Sequence, residues 1–188
     1  PRGGGTSQNG QTVNEALVID TSKHLRKIID IDAGNRTACV QPGLVLDQLN
    51  KQLKQHGLWY PVDVSTANRA TLGGMTGNNS CGSRSIRYGN MVHNVRVIEA
   101  LLPDGTSATF GPLSADNDLM LGKAKSLVEQ MLALGIREAD EIDTRFPKLL
   151  RRVGGYNINE LTLENPNLAR LLVGSEGTLA WFQRIHLD

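Results

Sequence analysis

Three segments of this chain carry the residue types that hold an anion through main chain. They are Pro1–Ser7 (PRGGGTS), Thr71–Ser83 (TLGGMTGNNSCGS) and Gly174–Leu179 (GSEGTL). Glycine accepts positive φ and lets the backbone approach a ligand closely, so successive N–H groups can converge on one charge. Each segment is edged by hydroxyl or amide side chains. Thr71–Ser83 places four glycines and two asparagines in thirteen residues, more than a turn requires. No P-loop lysine accompanies them, and no GxGxxG follows a strand. The pattern predicts a large ligand with a diphosphate, held mainly by main chain. Asn78 and Asn79 can each donate and accept, which suits a ring with amide-like edges, and Glu176 can accept from a ribose hydroxyl. Alone, the first segment reads equally as a surface turn and Glu176 as a surface carboxylate.

Other chemistries find less support. Ser175 lacks the GxSxG frame of a nucleophile elbow. Cys81 with His93 has only sequence proximity behind it, and His93 reads as a strand-end residue. His24, His56 and His186 are scattered and offer no metal-ligand spacing, and Cys39 and Cys81 form no CxxC. No metal site is expected.

The elements that must position these loops read as α+β. Ala16–Asp20 (ALVID) is expected as a short buried strand, Leu25 to Ile31 as a second, and Asp32–Arg36 as a turn into a strand at Thr37–Gln41. Val45, Leu46, Leu49 and Leu53 recur at helical spacing, with Gly57 at the C-cap. Residues 61–90 read as one long binding loop. Met91–Leu102 is expected as a strand and Pro103–Thr106 as a hairpin turn into Ser107–Phe110. Leu119–Leu134 is expected as the clearest amphipathic helix, with Leu127, Met131 and Leu134 on one stripe. Pro147 should break the helical segment around it. Leu168–Val173 leads into the third glycine loop, and Leu179–Leu187 closes as a strand.

The 188 residues suit one domain or two tightly joined subdomains, with a net charge of +1 and 4% aromatics. That composition gives neither the basic footprint nor the stacking aromatics of a nucleic-acid binder. The apolar runs are too short for a membrane span or signal peptide, and a reduced cytoplasmic setting is expected. A glycine loop at positions 3–5 without an initiator Met suggests a piece of a longer protein.

Taken in order, PRGGGTS, the P-V-D at 61–63, TLGGMTGNNSCGSRSIRYGN, LPDGT, GYN and LLVGSEGTL resemble the FAD-binding domain of the vanillyl-alcohol oxidase / p-cresol methylhydroxylase (PCMH-type) family. Within it, the chain is most similar to FAD-linked D-2-hydroxy-acid dehydrogenases of the D-lactate, glycolate and D-2-hydroxyglutarate group. The resemblance implies a PCMH-type fold of two α+β subdomains. Residues 1–60 would be the remainder of a truncated first subdomain and 61–188 the second, with the substrate domain and its catalytic and metal-binding histidines outside the chain.

It further implies that Arg2, Gly3, Gly4, Gly5, Thr6 and Ser7 wrap the FAD diphosphate. Thr71, Gly73, Gly74, Gly77, Asn78, Gly82 and Ser83 would line the diphosphate–ribityl–flavin side, closed by Tyr88 and Gly89. Glu176, Gly177 and the strand to Ile185 would lie near adenosine and flavin. Thr6 stands where flavin-linked members carry histidine, which implies non-covalent FAD; Cys81 is expected to be a small packed loop residue. Arg84 and Arg87 are candidates for positive charge near the flavin. In the parent enzyme the implied reaction is hydride transfer from a small 2-hydroxy acid to flavin N5. The electron acceptor (an iron–sulfur domain, quinone or cytochrome) would lie outside the chain, and the isolated fragment would be inactive. The parent would be cytoplasmic, with peripheral membrane association left open. A UDP-N-acetylenolpyruvoylglucosamine reductase-like flavoenzyme and a degenerate, non-catalytic module are the alternatives.

Overall fold

The computed structural model describes residues 1–113, 121–149 and 151–188. Its frame is a five-stranded antiparallel sheet in the order β1-β2-β5-β3-β4, built from β1 (Ile28–Asp32), β2 (Thr37–Val40), β3 (Val95–Leu101), β4 (Ser107–Phe110) and β5 (Trp181–Leu187). Two hairpins supply the outer pairs. The first turns through Arg36 at φ 58°, the second through Gly105 at φ 83°, where Asp104 Oδ1 accepts the Thr106 N–H at 2.8 Å. The last strand enters the middle of the sheet, pairing Cys39 with His186 on one side and Ile98 with Ile185 on the other. The sheet thus joins strands from both sides of residue 60.

Strand alternation gives the sheet one apolar face. Val40, Val95, Ile98, Ala100, Phe182, Ile185 and Leu187 are buried there. Helix α1 (Leu46–Leu53) contributes Leu46, Leu49 and Leu53 to the same core. Burial of each such side chain stabilises the fold by roughly 1.5–3 kcal/mol. The 3-10 turn after α1 ends at Gly57 with φ 69°, as the C-cap signal requires.

Several segments depart from expectation. Ala16–Asp20 is not a buried strand: Leu17 is 87% exposed, and only Asp20 makes a bridge, to Arg2. An apolar run without a neighbour to cover it gains nothing by extending a sheet. The 61–90 stretch is not one loop, because α2 (Leu72–Asn78) and a helical turn at Ser85–Tyr88 lie inside it. The expected strand from Met91 begins only at Val95. Met91–Asn94 is a helical turn, where the Asn90 N–H donates to His93 Nδ1 at 3.0 Å and the Asn90 carbonyl accepts the His93 N–H at 3.1 Å.

The long helix runs from Lys125 to Arg137 and is turned away from expectation at Leu127, which is 44% exposed: Val128 and Gly135 are buried, and Met131 of the expected stripe packs against the core with Leu132. Leu119, where the expected helix began, lies outside the described residues. Gly135 sets the rotation, since a Cβ there would meet Leu161 Cβ at 2.6 Å. The next helix stops at Arg145 and Phe146 is extended, the conformation forced on a residue before proline.

Candidate functional site

The site is assembled by short approaches between four segments. Arg2 donates its N–H to the Ile19 carbonyl and accepts from the Thr21 N–H, both at 2.9 Å, which fixes the leader beside residues 19–21. Gly43 donates to the Leu25 carbonyl at 2.7 Å, and a Cβ on Gly43 would collide with the Thr21 carbonyl. Gly73 donates to the Pro42 carbonyl at 2.7 Å, with room for no side chain: its Cβ would meet Pro42 Cβ at 2.5 Å. Gly3 presses on the Thr71 hydroxyl and Gly4 on the Arg69 carbonyl, inside ordinary van der Waals contact for any added Cβ. These glycines let backbone pack on backbone around a hollow.

Helix α2 forms despite its three glycines because both ends are held. Thr71 caps it, accepting the Gly74 N–H at 3.3 Å, and Leu72, Met75 and Thr76 are buried. At the other end the Thr76 and Gly77 carbonyls accept the N–H groups of Gly174 and Glu176, both at 2.9 Å. The third glycine segment therefore docks on the C-terminal end of the second. Asn78 Nδ2 donates to Glu176 Oε1 at 2.9 Å, and Glu176 itself holds φ 51°.

Between these walls lies a cleft of about 390 Å³, a size ordinary for small-molecule sites. It brings together Arg2, Gly3, Gly4, Gly5, Thr6 and Ser7 with Thr71, Gly73, Gly74, Gly77 and Asn78, and with Glu176 and Gly177. Within the expected 61–90 stretch and the closing strand, Val64, Ser65, Thr66, Ala70, Met75, Ser80, Ala180 and Phe182 also line it, and the residues that sequence reasoning missed are Gln11, Thr12, Thr21, Pro42 and Val153. Nothing local marks these as site residues; they reach the cleft through tertiary packing. Cys81 also lines it and is partly exposed rather than packed away.

Gly82, Ser83, Tyr88, Gly89 and Ile185 do not line the cleft. Ser83 Oγ donates to Asp63 at 2.7 Å, the Arg84 N–H donates to the same carboxylate at 3.0 Å, and Gly82 packs on the Asp63 backbone. Partial burial works against the Asp63 carboxylate, but these donors outweigh it and hold its pKa below the usual range. Tyr88 stacks edge-on against Trp59 at 5.2 Å. Gly89, at φ 78°, turns the chain over His93, and Ile185 is fully buried in the core. Arg84 lies over Trp59 and Arg87 over Tyr88, both away from the cleft. Ser175 is 2% exposed, which removes it as a nucleophile.

Behind the cleft, a buried polar network locks the loops. Asn79, left-handed at φ 52°, accepts the Val92 N–H at 3.0 Å. Asn157 donates to the Val173 carbonyl at 2.7 Å and accepts from Arg152 at 2.7 Å. The Arg152 carbonyl in turn accepts from Asn90 at 3.2 Å.

The electrostatic character of the cleft follows from which N–H groups are spent. Leu72 and Gly73 donate to the Leu44 and Pro42 carbonyls, and Gly74 donates to Thr71, so the start of α2 is already satisfied. From Gly3 through Ser7, by contrast, no main-chain N–H has a protein acceptor among the described residues. The five residues that carry these unpaired donors line the hollow beside the Arg2 guanidinium, which folds over Gly5. An anion with several oxygens satisfies such a nest, and a diphosphate fits it.

Comparison with known proteins agrees. Residues 1–111 match a family model described as an FAD binding domain. D-2-hydroxyglutarate dehydrogenases of Pantoea ananatis and Haemophilus influenzae are 36% and 38% identical to the chain over its whole length, which spans 19% of theirs. The glycolate oxidase subunit GlcD of Bacillus subtilis is 31% identical over 95% of the chain and 29% of its own length. Among solved structures, an alkyldihydroxyacetonephosphate synthase superposes with a TM-score of 0.63 at 21% identity, covering 100% of this chain and 26% of that one, a likeness of fold. The unpaired leader, the glycine-lined cleft and these matches lead to one assignment: the chain belongs to the FAD-binding domain family and has its α+β fold.

Proposed function

We propose that this chain is the FAD cradle of a dehydrogenase that oxidises a small 2-hydroxy acid of the D-2-hydroxyglutarate, glycolate or D-lactate class. The observation that carries the reading is the run of unpaired N–H groups at Gly3–Ser7, on residues that line the cleft, in a chain whose relatives bear those names. The relatives support it over a UDP-N-acetylenolpyruvoylglucosamine reductase-like activity. Bound FAD supplies the two-electron chemistry at the acid's CH–OH carbon.

The chain's own residues bind and orient. Gly3, Gly4, Gly5, Thr6 and Ser7, with Arg2, hold the diphosphate. Thr71, Gly73, Gly74 and Gly77 form a wall with no side chain to obstruct close approach at the glycines. The Asn78–Glu176 pair offers the polar edge for a ribose or ring. Gly82 and Ser83 act through Asp63, holding the loop that ends the wall, and Tyr88 and Gly89 brace the same segment. Ile185 supports the site from the core. The hydroxy acid and the electron acceptor are engaged by parts of the protein beyond this domain. The free thiols of Cys39 and Cys81 suit a reducing, cytoplasmic compartment. Among the described residues, no helix is long and apolar enough to cross a membrane.

Attachment is non-covalent in this reading, with Thr6 in the linking position. The test is to load the protein with FAD, desalt it, and divide the flavin absorbance by acid precipitation. Co-eluting flavin that stays in the supernatant is expected. Flavin in the pellet would point to Cys81 in the cleft, and protein without flavin would remove the cradle.

A further inference from the structure

Cys39, Glu99 and His186 come from three adjacent strands, β2, β3 and β5, and none of them lines the cleft. Cys39 is registered with His186 across β2 and β5, and Glu99 with Arg184 across β3 and β5. Their side chains share the sheet face opposite Ile98, Ile185 and Leu187, which are turned into the core. There His186 Nε2 lies 3.7 Å from Cys39 Sγ and 3.0 Å from Glu99 Oε1, and the three atoms all fall within 4.8 Å of one another. Cys39 is 9% exposed, so the cluster is set into the sheet at one end and open at the other.

Which nitrogen is used decides between two chemistries. A cysteine nucleophile needs one ring nitrogen as its base and a carboxylate on the other. Here thiol and carboxylate face the same nitrogen, so a proton relay has no path. A sulfur, a nitrogen and an oxygen instead converge on one point.

We propose that Cys39, Glu99 and His186 form a zinc-class metal site on the outer face of the sheet, with its fourth position open to water. The dimensions support it. Bond lengths of about 2.3 Å to sulfur and about 2.0–2.1 Å to nitrogen and oxygen give tetrahedral edges of about 3.6 Å for S–N and about 3.3 Å for N–O. The separations of 3.7 and 3.0 Å are within a few tenths of these, and the third edge, sulfur to oxygen, lies within 4.8 Å where a tetrahedron asks for about 3.6 Å, so the ligands draw together on binding. A thiolate, imidazole and carboxylate together suit zinc, whereas a carboxylate oxygen disfavours copper(I). Arg184 Nη1 holds the other oxygen of Glu99, Oε2, at 3.1 Å, which orients Oε1 toward the point of convergence. Asp30, registered with Cys39 on β1, adds negative charge nearby.

The test titrates the metal-free protein with Zn²⁺ by calorimetry and with Co²⁺ by absorption. Expected are one ion per chain, a thiolate-to-cobalt charge-transfer band and the ligand-field bands of four-coordination. Cys39→Ser should remove the charge-transfer band. His186→Gln and Glu99→Gln should each weaken Zn²⁺ by roughly tenfold or more. Cys81→Ser, at the other thiol, should change neither. Circular dichroism checks each fold, and partly exposed His186 carries the test should buried Cys39→Ser not fold. No charge-transfer band, Zn²⁺ affinity unchanged in His186→Gln, or a band lost in Cys81→Ser overturns the site.

Discussion

Replacing Gly77 by alanine separates what the protein needs from what its ligand needs. Gly77 sits in α2 and lines the cleft, yet a Cβ there would meet protein only at ordinary contact, 3.7 Å from Glu176 Cα and 3.8 Å from the Gly177 nitrogen. Its φ is not left-handed, so alanine introduces no backbone strain. Helix propensity then favours alanine by roughly 0.5–1 kcal/mol. In a chain of this size that is a rise of about 1–4 °C in Tm. Binding should move the opposite way. A methyl placed where a nucleotide lies against main chain forces it outward, and a loss of about 1.4 kcal/mol or more is a tenfold weaker Kd. Differential scanning fluorimetry without FAD and quenching of flavin fluorescence with it give the two numbers. A Tm that holds or rises with Kd weakened at least tenfold is the expected pair. An unchanged Kd in a stable variant would refute close approach at Gly77, and a markedly lowered Tm would refute the packing described for α2.

Other outcomes follow from the same geometry. Gly4→Val drives a side chain into the Arg69 carbonyl and should abolish FAD binding, leaving far-UV circular dichroism largely intact. Gly74→Ala, whose Cβ would stand 3.1 Å from the Thr71 hydroxyl, should bind FAD more weakly without losing it; unchanged affinity in Gly4→Val would remove the leader from the site. Asn79→Ala gives up a left-handed position and strands the buried Val92 N–H, so urea unfolding should show a loss of roughly 2–4 kcal/mol. His93 has its pKa lowered by burial and then by the Arg170 charge, and its Nδ1 accepts the Asn90 N–H. A base whose folded pKa is depressed favours folding fully above its unfolded pKa and loses that contribution as pH falls through the folded value. Stability should therefore fall below about pH 6.5, and this dependence should flatten in His93→Gln; an NMR titration placing the His93 midpoint above its ordinary value would contradict the assignment.

Much of this site was legible because its signals are local. A glycine required by a close approach is visible as a glycine, and the order of PRGGGTS, TLGGMTGNNSCGS and GSEGTL carries the cradle with no knowledge of the sheet. The hairpins at Arg36 and Gly105 and the cap at Gly57 were legible for the same reason. What escaped depends on distant partners. Helix α2 was hidden by its own glycines, since its stability comes from the Thr71 cap and the burial of Leu72 and Met75. The stripe of the long helix held at Met131 but failed at Leu127, because Gly135, which sequence patterns count as neutral, packs closely on Leu161. Ala16–Asp20 is apolar by composition, but the described fold gives it nothing to pack against. Gly82 and Ser83 belong by sequence to the second glycine segment, and only tertiary structure shows them turned toward Asp63. The pairing of Cys39 with His186 spans nearly the whole chain and needed the register of the last strand.

If the unpaired N–H groups at Gly3–Ser7 hold the diphosphate, they should respond to ligand where the start of α2, already bonded to protein oxygens, does not. At 20.4 kDa the chain is within reach of amide NMR, and titration with FAD reads those groups one by one. Large shifts and slowed hydrogen exchange are expected at Gly3, Gly4, Gly5, Thr6 and Ser7, with smaller changes at Leu72 and Gly73. ADP, which keeps the diphosphate, should move the same leader amides, and riboflavin, which lacks it, should not. Leader amides that stay put while the rest of the cleft responds to FAD would contradict diphosphate binding by the leader.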